Sequence, residues 1–167
     1  GFASRANGDA ATAGGDLSAS SGEDSTAIGQ DSVASGDDST ALGQDAEASA
    51  VDATAIGQSA TASADGATAV GSSANASGAS STAIGQDSDA TATRSTAVGR
   101  FSGANGERST ATGFGSRADG FGTTAVGDFS SATGDSATAI GQDSSASAED
   151  STAVGQNARA TADGASA

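Results

Sequence analysis

Neither cysteine nor histidine occurs among the 167 residues. The first absence excludes a disulfide framework, a thiolate nucleophile and a thiolate metal site. The second removes the imidazole base and a common metal ligand, so most hydrolase and zinc chemistry is out of reach. Lysine is missing too, and six Arg face twenty-one acids for a formal charge of −15. Such a chain repels phosphate backbones and anionic lipid, which excludes nucleic acid as an expected partner. Large apolar residues are scarce, with twelve Val, Leu and Ile and five Phe. No apolar run approaches membrane-spanning length and no signal peptide is visible, so the segment itself makes no direct membrane contact; an export signal or anchor is expected outside it. By composition alone the chain reads as disordered, because it has too little apolar surface to offset its conformational entropy.

Periodicity overrules composition. Thr-Ala-x-Gly recurs every fourteen residues in ten copies, from Thr26-Ala27-Ile28-Gly29 to Thr152-Ala153-Val154-Gly155, without an insertion. A weaker copy, Thr12-Ala13-Gly14-Gly15, keeps the phase, and Gly1 stands where the preceding glycine belongs. About twelve units therefore fill residues 1–167 as a single domain. A short fixed period means that each unit packs on its neighbours, which defines a solenoid whose function lies on repeated surfaces rather than in one pocket.

With Thr as position one, a typical unit runs from Thr26 to Ser39 and suits two short strands and two turns. Gly fills position four, and Gly or Ala fills position eleven, where tight corners need small residues. Strand alternation places positions fourteen and two on one face of the first strand, and one and three on the other. Positions seven and nine, as in Ser32 and Ala34, are small; eight and ten vary or carry hydroxyls. A narrow coil results, filled by the small residues of positions two, seven, nine and fourteen. Nine of the twelve aliphatics then point outwards in one column: Ile28, Leu42, Ile56, Val70, Ile84, Val98, Val126, Ile140 and Val154. A continuous apolar stripe of that kind marks an association surface, and a rod of about twelve coils spans roughly 55–60 Å at strand spacing.

These units resemble the head repeats of YadA-like trimeric autotransporter adhesins, whose motif reads Asn-Ser-Val-Ala-Ile-Gly-x-x-Ser. Asp24-Ser25-Thr26-Ala27-Ile28-Gly29-Gln30-Asp31-Ser32 follows it with Asp for Asn and Thr for Val, and similar copies begin at Asp38, Asp52 and Asp150. The resemblance covers essentially the whole chain. It implies an all-β, left-handed parallel β-roll and a homotrimer around a common axis, with the nine aliphatics at the trimer interface. It also implies display from the outer membrane of a Gram-negative bacterium as part of a longer surface protein. Attachment to host extracellular matrix or a cell-surface receptor, without catalysis, cofactor or metal, is the implied role in virulence.

Chemistry changes between residues 94 and 129 although the phase persists. Arg94, Arg100, Arg108 and Arg117 fall there, with Phe101, Phe114, Phe121 and Phe129, and Thr112 replaces the aliphatic of position three. Two readings stay open for Arg100, Phe101, Phe114, Arg117 and Phe129: a ligand contact, as Phe and Arg favour interface hot spots, or packing between subunits. The Asp column at position six (Asp31, Asp45, Asp87, Asp143) invites a calcium reading, but Ser59, Ser73, Phe101, Gly115 and Phe129 interrupt it, and a solvated acidic face accounts for it better. The Gln column (Gln30, Gln44, Gln58, Gln86, Gln142, Gln156) reads as an amide ladder. The alternative function is ice binding through the Thr column, which requires that face exposed in a monomer. A polysaccharide-degrading solenoid needs unique carboxylates in a groove, whereas these acids recur generically.

Overall fold

The computed structural model describes residues 2–167; Gly1 lies outside them. Twenty-three strands of two or three residues alternate with turns, and no helix occurs among the described residues. Three-residue strands, from Thr12–Gly14 to Thr152–Val154, stack into an eleven-stranded sheet, and two-residue strands, from Arg5–Ala6 to Arg159–Ala160, into a twelve-stranded one. Every pairing is parallel and shifted by one unit, as Thr26 to Thr40, Ala27 to Ala41 and Ile28 to Leu42. The chain is a parallel β-solenoid of about eleven turns, close to the twelve units counted along the sequence, whose end units are partial.

Backbone pairing continues through the corners. Asp31 N–H donates to the Asp16 carbonyl at 2.9 Å, and Asp45 N–H to that of Gln30 at 2.9 Å. Gly29 shows why position four is invariant. Its φ is +139°, and a Cβ there would lie 2.2 Å from the carbonyl oxygen of Gly43 in the next coil. The residue two places on is left-handed, with φ of 55° at Asp31, and the same conformation recurs in the second corner at Asp38, φ 57°. Asp, Asn and Gly tolerate this region best, and a short polar side chain can bond locally there. The turn thus favours Asp at this position without requiring it, since Ser59, Phe101 and Asn157 hold the same conformation in other coils.

The corners also explain most of the buried hydroxyls, Ser81 and Ser109 being the two that keep an Oγ without a partner among the described residues. Ser32 and Ser39 close their turns by donating N–H to the carbonyls of Gly29 and Gly36 at 3.4 and 3.3 Å. Their Oγ atoms donate to the same carbonyls at 2.9 and 2.6 Å, so the side chains enter the lumen already satisfied. The two halves of a coil therefore repeat one local motif, small residue, Gly, left-handed residue, Ser, at a spacing of seven. Ala27, Ala34, Ala41 and Ala48 are fully buried, as are Ser32 and Ser39, and Thr123 is the largest of the fully buried side chains. The interior is the expected filling of positions two, seven, nine and fourteen.

Candidate functional site

The outward face of the eleven-stranded sheet carries two columns in register. Thr side chains from Thr26 to Thr152 are half-buried, and the aliphatics run beside them two residues on. Ile28, Ile84 and Val154 are 47, 41 and 57% exposed, and Ile56 and Ile140 are also open. Leu42, Val70, Val98 and Val126 are half-buried, and Thr112 interrupts the row. The small residues between them, Ala27 to Ala153, face the lumen, so this ridge cannot turn inward. In one chain the first strand is covered on one side only.

The residues between 94 and 129 separate onto three surfaces. Arg100, Phe101, Phe114 and Phe129 share the corner that follows the eleven-stranded sheet. Phe101 and Phe114 meet edge to face at 5.8 Å between centroids, and Phe114 and Phe129 at 5.1 Å. The Arg100 guanidinium lies 4.4 Å from the Phe101 centroid and 5.9 Å from that of Phe114. At the opposite corner Arg108 lies 5.7 Å over Phe121 and pairs with Glu107 at 3.8 Å. Arg117 sits on the outer face of the twelve-stranded sheet, bonded to Asp119 at 2.6 Å. The structure thus gathers four of the five candidate contact residues and sets Arg117 apart.

Two further arrangements escape a reading by columns alone. Carboxylates at positions five and twelve cap the backbone of the preceding coil: Asp37 accepts from Glu23 N–H at 3.0 Å, Asp128 from Phe114 N–H at 3.1 Å and Asp135 from Phe121 N–H at 2.9 Å. On the twelve-stranded face Thr91, Asn105 and Asp119 form a side-chain ladder with steps of 3.0 and 2.8 Å. The amide ladder of the Gln column closes between Gln142 and Gln156 at 3.3 Å, while Gln30 turns to Asp31 instead. The described residues include no group of three or more acids arranged to hold a metal ion.

A fourteen-residue parallel solenoid with Gly corners, an Ala and Ser lumen and an outward Thr and Ile face defines a repeat class. The model of the YadA head domain repeat matches residues 20–46, 48–74, 65–88, 76–102, 90–116, 118–144 and 146–167. The chain belongs to that family. Among solved structures it is similar to the collagen-binding domain of the Yersinia adhesin YadA, at 22% identity and a TM-score of 0.29. The match covers 94% of this chain, which spans 56% of that one. No curated protein matches the sequence.

Proposed function

We propose that the chain is a non-catalytic adhesin head, a single domain over residues 1–167, wound left-handed and assembled as a homotrimer on a Gram-negative cell surface. The observation that carries this reading is the aliphatic column, held outward on a parallel sheet, partly or largely exposed, by a lumen filled with small side chains. Three chains meeting through Ile28, Leu42, Ile56, Val70, Ile84, Val98, Val126, Ile140 and Val154 remove that ridge from water and leave the remaining faces for contact with host matrix or cells. Identical units on three chains raise the effective concentration of weak contacts, so that poor individual sites hold a repetitive target by avidity.

Mass by light scattering tests assembly, and a solid-phase panel of matrix proteins tests attachment. A trimer that binds at least one matrix protein is expected. A monomer that binds none overturns the reading. The Thr column supports ice binding only if the same face stays open, so a monomer that also depresses the freezing point would select that alternative.

A further inference from the structure

We propose that the corner formed by Arg100, Phe101, Phe114 and Phe129 docks a protein partner presenting an apolar side chain beside a carboxylate. The proposal names a contact surface for the adhesive reading and rests on it. Its first support is backbone conformation. Phe101 and Phe129 occupy the left-handed corner position with φ of 58° and 55°, where Asp31, Asp45 and Asp143 stand in other coils. The corner imposes this conformation on whatever residue stands there, Leu17, Arg94 and Arg108 included, and a bulky side chain is unfavourable in it, so the turn itself does not call for Phe.

Clearance is the second support. Gly115 holds the equivalent position in the coil between them, and a Cβ there would lie 3.0 Å from the Phe129 ring. The middle ring comes from Phe114, one residue earlier, so three successive coils present aromatic rings that interlock edge to face instead of colliding at the ~4.8 Å coil spacing. The rings stay substantially exposed, at 45, 36 and 55% for Phe101, Phe114 and Phe129.

Charge supplies the third. Among the described residues no carboxylate lies within ion-pairing distance of Arg100, whereas Arg108 and Arg117 are paired. The nearby Asp128 accepts the Phe114 N–H. Stacking on Phe101 covers a face of the guanidinium and leaves its edge N–H groups for a planar acceptor such as a carboxylate. On a chain of charge −15 this unpaired cation complements one local acid but not a polyanion. Of the four side chains only Arg100 carries a polar group, too few for the several hydroxyls of a sugar, which favours an apolar protein side chain over a glycan.

A random peptide library displayed on phage, selected against the intact protein, tests this. Peptides with Asp or Glu beside an apolar residue should be enriched, and their binding should fall about tenfold or more in Arg100→Gln and in Phe114→Ala. Arg159→Gln should bind normally, with mass unchanged in all three variants and the melting temperature unchanged in the two arginine variants. Enrichment without acids, binding indifferent to both belt variants, belt-dependent capture of glycans from a parallel panel, or an altered mass in the belt variants overturns the proposal. Beads coated with the protein and offered to epithelial cells and matrix separate the two levels. Adhesion unchanged in the belt variants sinks the belt alone, while wild-type beads that attach to nothing sink the adhesive reading itself.

Discussion

Most buried positions accept an alanine methyl or a turn-bonded hydroxyl, and at this scale the sequence was most legible, because small residues hold the inward positions of both strands while the outward ones vary. Ala62 is fully buried and its neighbour Thr61 points outward. Ala62→Leu should lower stability by roughly 1–3 kcal/mol or more through overpacking. Thr61→Leu should be tolerated, and equal melting temperatures for the two variants would reverse the assignment of faces. The corners make a second test. Gly57 has φ of +133° and would place a Cβ 2.4 Å from the Gly71 carbonyl oxygen, so Gly57→Ala should cost at least about 1–3 kcal/mol in chemical denaturation. Ser59→Gly, two residues on and left-handed at φ 54°, should be nearly neutral. What the residues did not disclose was why Asp recurs: a left-handed φ leaves the same composition as a solvated acidic face, and only the backbone separates them.

At the scale of the element, the strands are too short to be stable singly and exist because each pairs with the same segment one coil away. The period located both strands and both turns. It also separates Arg117, at position eight on the second strand, from the Phe cluster at the corner after position four; what it did not show is how the rings of that corner pack on one another and on Arg100. In one chain the outer side of the first strand is open, with Ile28, Ile56, Ile84, Ile140 and Val154 exposed. Asp at Ile56 and Ile84 tests the proposed seam. Unpaired charge in an apolar contact costs several kcal/mol per site. The double variant should therefore sediment as monomer with a lower melting temperature; one that keeps the wild-type mass and melting temperature places the interface elsewhere.

For the whole molecule, the dominant long-range term is charge. A formal −15 per chain, with acids recurring from coil to coil, opposes both the stack and its association with further copies. Raising salt from 0.01 M to 1 M shortens the screening length from about 30 Å to about 3 Å. The melting temperature should therefore climb across that range and the assembly persist to lower protein concentration. A flat or falling profile would show that cross-chain repulsion is not a significant opponent of assembly.

The seven-residue echo within each coil has a consequence for how the chain finds its fold. A segment threaded half a coil out of phase still delivers Ala to the lumen, Ser to the turn carbonyls and a left-handed residue to the corner, as Ala34, Ser39 and Asp38 match Ala27, Ser32 and Asp31. The interior therefore discriminates poorly against that slip. What discriminates is the outer face, because a slipped coil moves its Ile or Val to the opposite sheet and breaks the column that neighbouring coils continue. Position four adds a check, since Gly is constant there while Ala is admitted at position eleven. The same exposed column proposed to join the chains thus also favours the native phase over that slip.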